Sequence, residues 1–168
     1  MTQRLLVRIA AVSALALALA SCGFQLRGSN GQYDMPFTSI YLGFPETSPL
    51  GVELKRNLRG GKAVVVDDIT QADAALEVLS EHRNKQILSL NSQGRVREYL
   101  LLYTLVFRVR DNKGGEILPP TEITLKRNIS FNESQTLAKE SEEALLYRDM
   151  QADLVQQIMR RLAALKRA

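Results

Sequence analysis

Side chains with reactive chemistry are few in this sequence, and they are scattered. The 168 residues contain one cysteine, Cys22, and one histidine, His82. They supply no zinc ligand set, and the carboxylates lack the spacing of a calcium loop. No Gly-x-Ser-x-Gly or Ser-x-x-Lys nucleophile pattern is evident, and Gly60-Gly61-Lys62 lacks the rest of a phosphate-binding loop. We therefore predict a protein that is not an enzyme and holds no metal or cofactor.

Cys22 follows a segment typical of a bacterial secretion signal. Arg4 and Arg8 give it a basic start, an apolar run covers residues 9–20, and small residues precede the cysteine. The run is shorter than the roughly 20 apolar residues that a spanning helix needs. Leu19-Ala20-Ser21-Cys22 resembles the lipobox of bacterial lipoproteins. In that class the signal is cut before the cysteine, which carries diacylglycerol on its sulfur and an acyl chain on its nitrogen.

The lipobox resemblance implies that residues 1–21 are removed and that Cys22 is a lipid anchor. A plain secreted protein with a free thiol is less favoured, because such a thiol is a liability in an oxidising compartment. Gly23 follows the cysteine, whereas Asp there would signal retention in the inner membrane. This implies the outer membrane, with the protein facing the periplasm. Residues 22–35 are predicted to be a lipidated tether.

The mature chain is long enough for one domain with a real core. Removing residues 1–21 leaves 147 residues, with 20 Lys and Arg against 18 Asp and Glu. This near balance does not favour nucleic-acid binding, for which a basic patch would dominate the total. We assign residues 36–168 to a single α+β domain.

Local patterns predict most elements of this domain. The alternation from Thr38 to Phe44 predicts a strand, and residues 63–66 predict another. Between them, Ser48-Pro49 marks the start of a helix whose apolar stripe ends at Gly60-Gly61. Further strands are predicted at 74–79, extending to Leu90 with an irregularity around residues 81–86, at 95–110 and at 121–131, with hairpin turns at 91–94 and 111–115.

The strand at 95–110 carries apolar side chains on both faces. Its odd positions run from Tyr99 to Val109, and its even positions include Leu100, Leu102 and Val106. We expect a central strand covered on both faces. Alternatively, both helices cover one face and leave Leu100, Leu102 and Val106 as a surface for a partner or for acyl chains.

The last third of the mature chain predicts a long helix. Large aliphatic residues recur every three or four positions from Tyr147 to Leu165. Packing on the sheet is favoured over a membrane-surface helix. The predicted fold is a two-layer α+β sandwich, with two helices on a mostly antiparallel or mixed sheet of four to five strands.

Several short motifs together resemble the LptE family of lipopolysaccharide-assembly lipoproteins. They are the segment from Cys22 to Gly28, Pro49-Leu50 with its helix, the stretch from Gly94 to Tyr99, and Leu137-Ala138-Lys139-Glu140. Each motif is weak alone, but together they cover the mature chain. The order of elements is similar as well.

This resemblance implies a binding protein that plugs and helps assemble LptD, an outer-membrane β-barrel, and that binds lipopolysaccharide for insertion into the outer leaflet. It places one lipopolysaccharide-binding residue at Lys139. A second family position falls on Ser92, which departs from the basic pattern. Arg95 and Arg97 after the turn, and Arg83 and Lys85 before it, are basic substitutes that suit phosphate groups.

Alternatives remain for both the site and the function. Arg95 and Arg97 can also be read as ordinary solvated charges at a strand end. For the function, one alternative is a lipoprotein scaffold of another envelope-assembly machine, such as one that inserts barrel proteins. The other is a periplasmic hydrolase, against which the missing nucleophile and base pattern argues.

Overall fold

A computed structural model of the protein describes residues 33–165. The predicted signal peptide, Cys22 and most of the predicted tether lie outside the described residues, as do residues 166–168. Within the described range the chain forms five strands and two α-helices: β1 Ser39–Gly43, α1 Pro49–Arg59, β2 Val64–Val66, β3 Ala74–Leu90, β4 Val96–Asp111, β5 Glu116–Ser130 and α2 Thr136–Ala163.

The strands form one mixed sheet in the order β2-β1-β3-β4-β5. β1 runs parallel to β2 and β3, whereas β3, β4 and β5 form an antiparallel meander. Apolar residues of both helices pack with one face of the sheet in a single core. We call this face the helix face and the opposite one the open face. The predicted two-layer α+β sandwich is confirmed.

Helix α1 begins where the sequence predicts. The Ser48 hydroxyl accepts a hydrogen bond from the Gly51 amide at 3.1 Å, and Pro49 occupies the first helical position. Both features stabilise a helix N-terminus, because the first amides have no partner within the helix. Leu50, Leu54 and Leu58 are fully buried against the sheet. The helix is therefore fixed by a local cap and by tertiary packing.

Strand β3 is continuous from Ala74 to Leu90, but a bulge at Leu79 divides it. Val78 pairs with Phe107 and Ser80 with Val106, so Leu79 is an inserted residue. An inserted residue reverses the faces of the residues that follow it, up to the next register shift. Before the bulge, the even positions of β3 face the helices; after it, the odd positions do, as far as Ile87. We expected an irregularity at residues 81–86, but this stretch pairs regularly, and the register shifts lie on either side of it.

Strand β4 lies between β3 and β5, and only one of its faces is covered by helices. Its odd residues from Leu101 to Val109 are fully buried, whereas Leu100, Leu102 and Val106 are only half-buried on the open face. The prediction that both faces are covered is wrong. Both helices bury their stripes in the same core, so the alternative that leaves an apolar strip on the other face is the observed arrangement.

Strand β5 starts earlier than the predicted Thr121. It begins at Glu116 and includes Pro119 and Pro120, which are exposed. Proline has no amide hydrogen to donate, and it is tolerated here because β5 is an edge strand of the sheet.

Helix α2 packs on the sheet through its second half. Its fully buried residues include Met150, Leu154, Ile158 and Leu162, which confirms packing rather than a membrane-surface role for this stripe. Its first half extends past the core, and Leu137 is 81% exposed. Among the described residues, no helix is long and apolar enough to cross a membrane.

Candidate lipopolysaccharide-binding end of the sheet

All five basic residues predicted to bind lipopolysaccharide lie at one end of the sheet. We call it the hairpin end: residues 81–100 of β3, β4 and their turn, residues 128–135, and residues 136–148 of α2. The Asn91 side chain accepts hydrogen bonds from the amides of Gln93 and Arg95, and Gly94 has a φ of 75°. Glycine adopts this left-handed conformation without strain. The turn therefore fixes where Arg95 leaves the hairpin.

Arg95 and Arg97 share a shallow cavity of about 240 Å³ with Phe131 and Glu133. The Arg95 guanidinium lies 3.3 Å from the Glu133 carboxylate, and these side chains are 62% and 64% exposed. The Arg97 carbonyl accepts a hydrogen bond from the Phe131 amide at 2.8 Å, while its side chain is exposed. The exposed ion pair of Arg95 with Glu133 contributes little to stability and is easily exchanged. Both arginines are therefore accessible to an anionic ligand.

Lys85 and Lys139 are held by glutamates of α2 instead. Lys85 Nζ lies 2.6 Å from Glu143 and 4.3 Å from the centre of the Tyr99 ring. Lys139 Nζ contacts Glu142 at 2.8 Å and the Ser130 hydroxyl at 2.9 Å, and its side chain is only 16% exposed. Both ammonium groups are already paired, so an anion would have to compete with a carboxylate.

Tyr99 connects the two pairs of basic residues. Its ring lies under the Lys85 ammonium and packs edge-to-face against Phe131, with 5.4 Å between ring centres. Phe131 lines the cavity of Arg95 and Arg97, and its neighbour Ser130 contacts Lys139. These two arginines and two lysines thus surround a small aromatic pair. This end of the molecule combines cations with apolar rings, which suits an amphiphilic anion.

A polar cluster that the sequence analysis missed lies between this end and the core. Tyr103 is fully buried; its hydroxyl donates to Glu81 and accepts from Arg83 at 3.1 Å. Burial, followed by the bond to Glu81, raises the pKa of Tyr103 to about 12. Arg83 also donates to Gln151, which in turn donates to Glu53 of α1. The cluster therefore connects β3, β4 and both helices.

Part of this cluster left a signal in the sequence. A tyrosine within a buried leucine-rich strand needs a partner for its hydroxyl, and Gln151 interrupts the apolar stripe of α2. No pattern in the sequence predicts the bulge at Leu79, although this bulge turns Glu81, Arg83 and Lys85 toward α2. Tyr147 belongs to the same region: its hydroxyl donates to the Asn84 carbonyl, and burial, then the Glu143 charge, raises its pKa.

His82 is exposed on the opposite face of β3 and pairs across the sheet with Thr104. Within residues 33–165, no three His, Cys, Asp or Glu side chains are grouped so that they could hold a metal ion.

The fold defines a class of small two-layer α+β proteins. Comparison with known proteins identifies the family within this class. Residues 37–162 match the family model LptE, described as Lipopolysaccharide-assembly. The chain therefore belongs to the LptE family, which confirms the family identified from the sequence motifs.

Individual relatives agree with this assignment. The chain is 30% identical to the LPS-assembly lipoprotein LptE of Pectobacterium atrosepticum, over 87% of this chain and 79% of that protein. It is 28% identical to the protein of the same name from Yersinia enterocolitica, over 87% and 70% of the two chains. These names are those of assembly lipoproteins rather than of enzymes.

Solved structures of lipoproteins share the fold. The solution structure of lipoprotein B from Nitrosomonas europaea is similar with a TM-score of 0.72 and 38% identity, covering 84% of this chain and 91% of that one. A minor lipoprotein from Acinetobacter baumannii is similar with a TM-score of 0.65 and 27% identity, covering 80% and 98%.

Proposed function

We propose that this protein is an outer-membrane lipoprotein of lipopolysaccharide assembly. Anchored through acylated Cys22, it plugs and helps assemble the LptD β-barrel from the periplasmic side, and it binds lipopolysaccharide on its way to the outer leaflet. The observation that carries the proposal is the family match, which spans nearly all the described residues. The relatives named for lipopolysaccharide assembly support the same role.

The hairpin end supports lipopolysaccharide as the ligand. Lipopolysaccharide carries phosphates next to acyl chains, and Arg95 and Arg97 lie beside the rings of Tyr99 and Phe131. Arginine holds phosphate through paired, charge-assisted hydrogen bonds, and aromatic rings accept apolar chains. We assign the first contact to Arg95 and Arg97. Lys85 and Lys139 join once the ligand displaces Glu143 and Glu142.

The open face supports contact with the barrel. Leu100, Leu102 and Val106 form a half-buried apolar strip beside Thr104 and Thr124, whose hydroxyls are 2.9 Å apart. A mixed strip of this kind is typical of a partner surface. We assign it to the barrel rather than to the ligand, because the basic residues assigned to the ligand lie at the hairpin end.

Binding of lipopolysaccharide is tested with the lipidated, detergent-solubilised protein carrying Arg95→Glu and Arg97→Glu. Each charged hydrogen bond contributes about 1.5–3 kcal/mol, so losing both should weaken binding by at least about tenfold. The control is Lys62→Glu with Lys113→Glu, which makes the same change in net charge at exposed positions outside the hairpin end. Equal affinity of wild type and the hairpin variant would contradict this site.

Contact with the barrel is tested by purifying the tagged protein from solubilised outer membranes. We expect LptD to remain bound, both for wild type and for the Arg95→Glu/Arg97→Glu variant. Recovery of other barrel-insertion factors in place of LptD would instead favour a scaffold of another envelope-assembly machine.

A further inference from the structure

A second basic site lies at the hairpin end, in a cleft between β3 and the first half of α2. The cleft has a volume of about 630 Å³. We call it the β3–α2 cleft; it is lined by Arg83, Lys85, Glu140, Glu143, Ala144, Tyr147 and Arg148. It is separate from the cavity of Arg95 and Arg97, with which it shares no lining residue.

The helix side of the cleft follows from the α-helical repeat. Residues 140, 143, 144, 147 and 148 recur every three or four positions, so they share one face of α2. The charges of Glu143 and Lys85 are mutually satisfied at 2.6 Å. Arg148 is exposed and makes no ion pair with any described residue. The remaining carboxylate in the lining is Glu140.

Arg83 lies on the strand side of the cleft; it is exposed, and its hydrogen-bond partners are neutral groups rather than carboxylates. Its Nη2 donates to the Tyr103 hydroxyl and to Gln151, both at 3.1 Å. Its guanidinium lies 4.5 Å from the Tyr103 ring centre and 5.6 Å from that of Tyr147. Within residues 33–165, its Nε and Nη1 make no hydrogen bond.

This arrangement differs from an ordinary surface arginine. The guanidinium is fixed by neutral groups and ring faces, so its charge is not cancelled by direct pairing. The nearest acid on its own strand, Glu81, accepts the Tyr103 hydrogen bond instead. These hydrogen bonds and ring contacts favour one position of the guanidinium, which lowers the entropic cost of binding a ligand.

We propose that the β3–α2 cleft is a binding subsite for a phosphate monoester. Arg83 presents Nη1 to one phosphate oxygen, and Arg148 closes over a second from the helix. The inference rests on the proposed function for its natural ligand, since lipopolysaccharide is the phosphate source at this end. A free phosphate ester presents the same phosphate group to the cleft as lipopolysaccharide does.

The test uses the lipidated protein in detergent, with three ligands: lipopolysaccharide, the same lipopolysaccharide treated with phosphatase, and inorganic phosphate. The variants are Arg148→Gln and Arg83→Lys, and the latter keeps the charge but loses the planar guanidinium that Tyr103 and Gln151 position. Arg160→Gln is the matched control, because Arg160 is exposed farther along the same helix.

Arg148→Gln and Arg83→Lys should each lower affinity for intact lipopolysaccharide about tenfold, whereas Arg160→Gln should leave it unchanged. For the phosphatase-treated lipopolysaccharide, the cleft variants and wild type should have equal affinity. Inorganic phosphate should shift the amide resonances of Ala144 and Tyr147 in wild type but not in Arg148→Gln. A phosphate response without one to lipopolysaccharide supports the subsite and makes a free ester its ligand.

Two results separate this inference from the proposed function. If Arg95→Glu/Arg97→Glu weakens lipopolysaccharide binding and both cleft variants leave it unchanged, the subsite is overturned and the function stands. If wild type does not bind lipopolysaccharide, the proposed function fails. In that case the resonance shifts of Ala144 and Tyr147 with inorganic phosphate test the subsite on their own, and the absence of these shifts would overturn it.

Discussion

The two ends of the paired strands β3 and β4 share one antiparallel backbone arrangement, but the side chains of β3 that face the helices are apolar at one end and charged at the other. At the core end, Leu76 and Val78 of β3 face the helices beside the buried Phe107 and Val109. At the hairpin end, the same side of β3 carries Glu81, Arg83 and Lys85. The change takes place at Leu79, the inserted residue.

The comparison shows how one strand is used for both stability and recognition. The core end removes apolar surface from water, which is the main favourable contribution to folding. At the hairpin end most β3 side chains are exposed, and only the first half of α2 lies over them. We therefore expect changes at the core end to alter stability, and changes at the hairpin end to alter ligand binding.

The largest effect is expected from Phe107→Ala at the core end. The Phe107 ring is fully buried, and removing such a ring costs about 3–5 kcal/mol through lost burial and the cavity left behind. This is a large part of the stability of a typical domain. Urea unfolding followed by circular dichroism measures it. A loss under about 1 kcal/mol would show that the core is not organised around β4.

Deleting Leu79 tests the boundary between the two ends. Without the inserted residue, positions 80–87 must either turn to the other face of the sheet or break the pairing with β4. The hydrogen bonds of Arg83 to Tyr103 and Gln151, and the pairing of Lys85, would be lost. At about 0.5–1.5 kcal/mol each, or more for charged groups, the expected loss is about 2–4 kcal/mol.

Leu79→Ala is the matched control for this deletion. The Leu79 side chain is 46% exposed, so its truncation should change stability by less than about 1 kcal/mol. Unfolding in urea and amide hydrogen exchange across residues 81–87 report both effects. Equal results for deletion and truncation would mean that the bulge does not set the faces of β3.

Local signals were enough to predict much of the core end. The cap at Ser48, the stripe of α1 and the alternation of β4 are short-range patterns, and each is found where expected. The family was predicted from motifs that are equally short. The two-layer architecture was predicted from the order of elements that such local patterns indicate.

The hairpin end was less predictable because long-range register decides it. The bulge at Leu79 depends on how β3 matches β4. The pairing of Lys85 with Glu143 joins residues 58 positions apart, and no local pattern reports it. The chain topology also decides that both helices cover the same face of the sheet. Local patterns do not report this, so the prediction that both faces of β4 are covered was wrong.

The smallest effect is expected where the two ends meet, at Tyr103. Its pKa is raised to about 12 in the folded protein, against about 10 unfolded, so the neutral hydroxyl is favoured by folding. Its contribution to stability is complete below pH 10 and is lost as pH rises toward 12. At pH 11 the loss is about 1 kcal/mol. Unfolding free energies of wild type and Tyr103→Phe, measured from pH 9 to 11, isolate this contribution from the other titrating groups. The gap between the two proteins should narrow as pH rises. A constant gap would mean that the Tyr103 hydroxyl is not held by Glu81 and by burial, and that the hairpin end is coupled to the core by packing alone.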